Sequence, residues 1–314
     1  MTTVLVTGAG GSIGSALSQR ITADRLVLVD RAESPLYDVG LEVPSAELTL
    51  CDITDRERTR RLFERVKPDI VYHAAAYKHV PLMEAHPSEA VRVNIGGTLS
   101  VLDAAEAAGV PRLVLVSTDK AVDPASVMGA TKRVAEWLVA ARAKATGRAY
   151  VSVRFSNVIG TAGSVILLFR YQLAHGQPLT VTHPEMTRYF MSLDQATSLI
   201  LEAGELATGR GDIFVRLIDE PVRIDDLARQ IARQEGVEPV IEYIGLRPGE
   251  RLHERLFHDY EDPQPTTSER VSVVRAVGAP DGLEEAAVRL LTTADELIRD
   301  ELFGLLTPVV EVAA

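Results

Sequence analysis

The chain has 314 residues, room for one large domain or two modest ones, and its 46% hydrophobic and 25% charged residues are the balance of a soluble globular protein. A formal charge of −11 argues against nucleic acid as a general partner, which would need a basic surface, yet leaves room for a small phosphorylated ligand. The one cysteine, Cys51, excludes an internal disulfide and a cysteine metal cluster, and it fits a reducing, cytoplasmic setting.

The first strand is expected at "TVLVT", starting at Thr2 or Thr3, so no signal peptide is expected ahead of it. No apolar run approaches the roughly 18–20 residues that cross a bilayer, so no membrane partner is expected either. Further short apolar runs follow: "RLVLVD", "AELTL", "DIVYHAA", "RLVLVS" and "YVSVRF". They read as strands covered on both faces of a parallel sheet. Amphipathic stretches such as "SIGSALSQRITA" and "DRERTRRLFERV" lie between them, which gives a doubly wound α/β fold. From about Gly160 helical runs dominate, notably Ile224–Gln234 and Leu283–Leu306, while "EDPQPTTSE" (Glu261–Glu269) reads as a loop. Residues 1–165 are therefore expected to form a dinucleotide-binding domain, completed by part of 190–220. Residues 166–314 are expected to form mainly a smaller substrate domain.

"VLVTGAGGSIGS" sets Gly8, Gly11 and Gly14 between a strand and a helix. Such glycines permit a tight turn and close approach of backbone N–H groups to a pyrophosphate. Asp30 ends the second strand, where a carboxylate accepts both adenosine ribose hydroxyls and repels a 2′-phosphate, favouring NAD over NADP. Arg31 beside it argues mildly the other way. Asp52, after the third strand, either reaches the adenine edge or caps a helix. His79 and His183 lack the spacing of metal ligands, so no metal is expected.

With these come "HAAAYKHVPLME" (His73–Glu84), "VNIGGT" (Val93–Thr98), "STDKAVDPASVMGATKR" (Ser117–Arg133), "VRFSNVIGTAGSVI" (Val153–Ile166), "VTHPEMTRYFM" (Val181–Met191) and "LRPGERLHE" (Leu246–Glu254). On these motifs the chain resembles the extended short-chain dehydrogenases/reductases over nearly its whole length. More narrowly, it resembles the nucleotide-sugar 4,6-dehydratases of bacterial polysaccharide biosynthesis that act on UDP-N-acetylglucosamine. Met128 stands where that fold usually has a tyrosine, and a branch of the family has methionine there, followed by the same Gly-Ala-Thr-Lys-Arg. Many long relatives carry membrane helices and a further domain ahead of this part, so the likeness is to a free-standing soluble version.

The resemblance implies a Rossmann fold and NAD lined by Gly8, Gly11, Ser12, Ile13, Gly14, Asp30, Arg31, Asp52, Ile53 and Ala74, Ala75, Ala76, with Lys132 on the nicotinamide ribose. It implies a UDP-sugar oxidised at C4, stripped of water across C5–C6 and reduced at C6, with C5 configuration retained. Thr118 would bond the C4 oxygen, Asp119 would be the acid at O6, and Lys120 the base at C5. Desolvation is expected to favour a neutral Asp119–Lys120 pair, with the two titrating as a coupled unit. What deprotonates the C4 hydroxyl stays open among Tyr77, Lys132 and a water held by Thr118. Tyr77 would have to reach the gap at Met128, or else be a packed aromatic. Lys78, Asn157, Arg188, Arg247 and Glu250 are expected at the substrate, the arginines on the diphosphate, and Asn94 is expected to tie strand to helix. A homodimer or higher assembly would pair through helices around Pro87–Ala108 and Met128–Ala145, where Val134, Trp137, Leu138 and Ala141 recur at helical spacing. The competing readings are a 4-epimerase, which needs no base at C5, and a non-catalytic NAD-binding regulator.

Overall fold

The computed structural model describes residues 1–218 and 220–306. Strands β1 (Thr3–Thr7), β2 (Arg25–Asp30), β3 (Glu47–Leu50), β4 (Ile70–His73), β5 (Arg112–Val116) and β6 (Ala149–Arg154) lie parallel in the order 3-2-1-4-5-6. Strand Asp212–Arg216 adds in parallel beside β6, and Val271–Arg275 and Gln264–Pro265 close that edge antiparallel. The apolar runs form strands because both faces are covered. Leu5, Val27, Val71 and Leu113 point into one helical layer, and their neighbours Val4, Leu28, Tyr72 and Val114 into the other. The strand order reverses between β1 and β4, which opens a crevice at their carboxyl ends.

Beyond β6 the path is more interleaved than a division at residue 165. Helix Val165–Ala174, strand Leu179–Val181 and helix Ile224–Gln234 form a small lobe around Phe169, Val181, Ile224 and Ile231. Helix Leu193–Leu206 and strand Asp212–Arg216 return to the sheet, as do Gln264–Pro265 (inside the expected loop) and Val271–Arg275. The expected run Leu283–Leu306 is two helices, Leu283–Leu290 and Asp295–Gly304. Both pack on the Rossmann layer rather than on the small lobe.

That packing covers part of the expected assembly face. Helix Val127–Thr146 is buried along most of its length, with Val134, Trp137 and Leu138 all within 1% exposure. The two C-terminal helices cover it, the Trp137 indole donates to the Val277 carbonyl (2.8 Å), and Arg142 ties Asp103 to Glu284. Only Ala141 of the expected stripe is exposed. Pairing through this helix would first have to displace the chain's own C-terminal helices.

Under the same helix lies a buried ion quartet. Glu136 accepts from Arg154 through Nε and Nη2 (both 2.8 Å) and from the Ser117 hydroxyl (2.6 Å). Arg133 approaches Glu136 at 3.3 Å, and Glu261 takes Arg154 Nη1 at 2.7 Å. Burial raises the Glu136 pKa, but the two guanidiniums outweigh it and hold the carboxyl at about 2. Because the folded value lies below the unfolded one of about 4.3, the stability Glu136 contributes is present above that pH and lost as pH falls toward 2. Glu136→Gln should therefore cost about 3–5 kcal/mol at pH 7, the typical cost of breaking a buried pair. In urea titrations at falling pH the deficit should shrink below pH 4; a deficit constant down to pH 2 would contradict it.

Candidate active site

Two connected recesses open at the crevice. The smaller, about 150 Å³, is lined by Gly8, Asp30, Arg31, Asp52, Ile53 and Ala75, among others. Gly8 has φ +69°, and a Cβ there would sit 2.6 Å from the Ala75 nitrogen. A Cβ on Gly14 would sit 2.1 Å from the Gly8 carbonyl oxygen. Only glycine lets β1, the turn and β4 meet this closely. The Asp30 carboxylate accepts from Gly10 N (3.0 Å) and Ala32 N (2.9 Å), one bond to each oxygen, and so retains lone pairs for two ribose hydroxyls. Asp52 accepts from the Thr54 backbone and hydroxyl, both at 2.9 Å, while Asp55 caps the next helix. This settles the alternative for Asp52: it lines the recess and is not an N-cap. The set of groups fits an adenosine dinucleotide, with Ala74 and Ala76 shared by the two recesses and Ile13 in the larger one.

The larger cleft, about 400 Å³, runs between the Rossmann sheet and the small lobe. Its floor is set by how β5 ends. Ser117 N and Asp119 N continue the ladder to the Val153 and Phe155 carbonyls, and Thr118 then caps a single turn, Asp119–Ala121. The Thr118 hydroxyl donates to Asp119 Oδ1 (3.0 Å), which also receives Lys120 Nζ (3.0 Å). Helix Val127–Thr146 presses on that turn: a Cβ on Gly129 would lie 2.1 Å from the Lys120 carbonyl oxygen. Ser126 caps this helix through Gly129 N, and Glu84 accepts from Val127 N (2.6 Å). Met128 therefore faces the cleft, buried to 3%.

The two lysines sit in opposite surroundings. Lys132 donates to the Val116 carbonyl (2.5 Å), and burial pushes it down to about 8 against the weaker pull of Glu136. It lies on a buried helix, not on the solvated face of an amphipathic one. Burial also works to lower Lys120, but the carboxylates of Asp119 and Glu254 override it and hold its pKa above the ordinary lysine value. Those two carboxylates favour the ammonium form of Lys120 in the unliganded cleft.

Other expected residues fall out unevenly. Thr118, Lys120, Lys132, Asn157, Lys78, Arg247 and Glu250 all line the cleft, whereas the Asp119 side chain lies behind Lys120, fully buried, with Oδ2 unpartnered. Asn157 is held by the Tyr189 carbonyl. Arg188, expected on a diphosphate, also lines the cleft, where its fork donates to the carbonyls of Thr187, Arg251 and Leu252. Arg247 pairs with Glu250 at the mouth and is half exposed, which leaves it the freer arginine. The Tyr77 phenol accepts from Arg31, whose guanidinium stacks on the ring at 4.8 Å, and Tyr77 lines the same cleft as Met128. Asn94 ties Tyr77 N and O to Thr131, as expected. Sequence reasoning missed Glu254, the last residue of its final motif, which lines the cleft 3.7 Å from Lys120 Nζ. It also missed the 159–164 loop, where Ala162 bonds both Ser12 Oγ (3.1 Å) and Lys78 Nζ (2.8 Å) across the cleft.

Residues 4–276 match the family model described as polysaccharide biosynthesis protein. The chain belongs to that family. It is 41% identical, over 99% of its length and 54% of the relative's, to the probable polysaccharide biosynthesis protein EpsC of Bacillus subtilis. The chain thus spans about half the length of the first curated relatives it matches. It is 33% identical to the UDP-N-acetylglucosamine 4,6-dehydratase (inverting) of Campylobacter jejuni and 35% identical to the UDP-glucose 4-epimerase of Rickettsia prowazekii, each over 81% of this chain and 77% of the relative. Among solved structures it resembles Pen from Bacillus thuringiensis (TM-score 0.82, 30% identity, 93% of this chain and 98% of that one). It also resembles the dTDP-glucose 4,6-dehydratase DesIV of Streptomyces venezuelae, solved with NAD and TYD bound (TM-score 0.73, 25% identity, 81% and 88%). The family is thus one of extended short-chain dehydrogenase/reductase enzymes that modify nucleotide sugars. No described helix is long and apolar enough to cross a membrane.

The contact under Lys120 gives a test of the site's construction. Gly129→Ala should push the Asp119–Ala121 turn out of place and cost about 1–3 kcal/mol of stability, the usual penalty for overpacking. Dinucleotide binding should survive, because its recess lies along β1 and β2. A Gly129→Ala protein with unchanged melting temperature and unchanged turnover would refute the contact.

Proposed function

We propose that the chain is an NAD-dependent nucleotide-sugar 4,6-dehydratase acting on UDP-N-acetylglucosamine, with C5 configuration retained. The observation that carries this reading is Lys120, a cation bonded to Asp119 in the wall of the cleft, directly after Thr118 at the end of β5. A 4-epimerase needs only a proton acceptor for the C4 hydroxyl, whereas dehydration also needs a base for H5 and an acid for the leaving 6-hydroxyl.

Bound NAD would supply the hydride acceptor at C4 and the donor at C6. The chain's residues handle the protons. Lys120 passes its proton to Asp119, 3.0 Å away, giving a free amine and a carboxylic acid. The amine takes H5, and the acid, once its carboxyl turns out from behind Lys120, protonates the 6-hydroxyl, which leaves as water. The reloaded ammonium returns a proton to C5, and the proton released earlier at O4 restores Lys120. Tyr77, Lys132 and a water held by Thr118 are the candidates to accept the O4 proton, and the lowered pKa of Lys132 favours Lys132. Arg247 and Lys78 at the cleft mouth are the cations suited to the diphosphate.

The second reading, a UDP-sugar 4-epimerase, is favoured by the Rickettsia relatives. Incubation with UDP-N-acetylglucosamine and mass spectrometry separates the two: a dehydratase product is lighter by one water, and an epimerase product has unchanged mass. In deuterated water the product should carry deuterium at C5, and NMR should show the C5 configuration kept. Lys120→Ala should slow dehydration by about 10²–10⁴-fold and leave reduced cofactor on the enzyme. Met128→Leu should keep much of the activity, since the swap nearly conserves volume. NAD should be released when the purified protein is denatured. A fully active Lys120→Ala enzyme would remove the assigned base, and inversion at C5 would remove the retaining assignment.

A further inference from the structure

Lys120 Nζ has a second carboxylate that the proton steps above leave unused. Glu254 Oε1 stands 3.7 Å from it, on the side away from Asp119, and 3.8 Å from Arg188 Nη2. Its side chain is only 6% exposed, so neither charge is well screened. Arg188 cannot swing toward Glu254 or away from it, because three backbone carbonyls fix its guanidinium. Asn157 Oδ1 lies 3.5 Å from Nζ on the substrate side. One ammonium is thus ringed by two carboxylates and an amide oxygen, while the nearest opposing cation, Arg188, stands behind Glu254.

Resting on the dehydratase reading, we propose that Glu254 is a positioning residue of the proton chemistry: its charge keeps Lys120 loaded with a proton and aimed into the cleft until substrate fills it. Asp119 alone gives Lys120 a partner to which it can lose its proton. A second, fixed carboxylate adds a field that makes that loss harder in the empty enzyme. The balance at Lys120 is set by Asp119 on its own turn, Glu254 on the 252–254 segment and Arg188 on strand Thr187–Arg188, with burial opposing all positive charge there. The raised pKa of Lys120 agrees with that balance. Glu254 gives and takes no proton in these steps and acts on Lys120 Nζ through its charge at 3.7 Å, so its effect should appear in when Lys120 titrates, not in whether it reacts.

Glu254→Gln removes the charge and keeps the shape. In the pH profile of water loss from UDP-N-acetylglucosamine the basic limb, where Lys120 loses its proton, should move down by about one pH unit, the low end of what a neighbouring charge does. The side-chain NMR titration of Lys120, assigned by its loss in Lys120→Arg, should fall in parallel in cofactor-loaded protein without substrate. An unmoved profile and titration would make Glu254 merely structural and overturn the proposal. Dehydration lost at every pH, with C4 oxidation intact, would make Glu254 itself the acid and also overturn it. The NMR titration keeps the test independent of function: if the wild type removes no water, the dehydratase reading fails while the Glu254–Lys120 coupling is still measured.

Discussion

The site hangs on one buried charge arrangement, the contacts of Glu136. A carboxylate with no exposed side-chain surface is costly to place unless every lone pair is used. Here the partners come from separate parts of the chain. Arg154 ends β6 and Ser117 immediately precedes Thr118, while Glu261, in the segment that follows Glu254, takes the remaining Arg154 nitrogen. Arg133, next to Lys132, completes the group. Shifting any one of these elements would strand a charge in the interior. Thr118, Lys132 and Glu254, a few positions away on these elements, are thereby fixed relative to one another in the cleft wall.

The helix carrying Met128 and Lys132 shows the same economy. Its N-terminus is held by Ser126 and Glu84, its flank by the C-terminal helices, and its contact with the Lys120 turn exists because residue 129 has no side chain. A tyrosine at 128 would bring a hydroxyl into the cleft, whereas methionine brings only bulk. The Thr118 hydroxyl in the same cleft is itself bonded to Asp119.

Much of this was legible in the sequence wherever a constraint is local. The strands could be read because doubly covered strands must be apolar throughout. Gly8 and Gly14 could be read because no Cβ fits, and Thr118–Lys120 because the turn follows its strand without a gap. What could not be read depends on which distant surfaces meet. Nothing in "MTRYF" says that Arg188 will meet carbonyls from 251 and 252. The apolar spacing of Val134, Trp137 and Leu138 announces a partner surface but not its identity, and here the partner is the chain's own C-terminus. Tyr77 and Arg31 are far apart in sequence, so their contact follows only from the β2–β1–β4 order.

The two cleft lysines show why residue type alone could not assign roles. Both are buried, and burial pulls both toward neutrality. Lys120 meets Asp119 at 3.0 Å and Glu254 at 3.7 Å, and stays charged. Lys132 meets a carbonyl, and its nearest carboxylate, Glu136, is already saturated by two arginines, so its pKa falls to about 8. The quartet that holds the fold together also withholds Glu136 from Lys132.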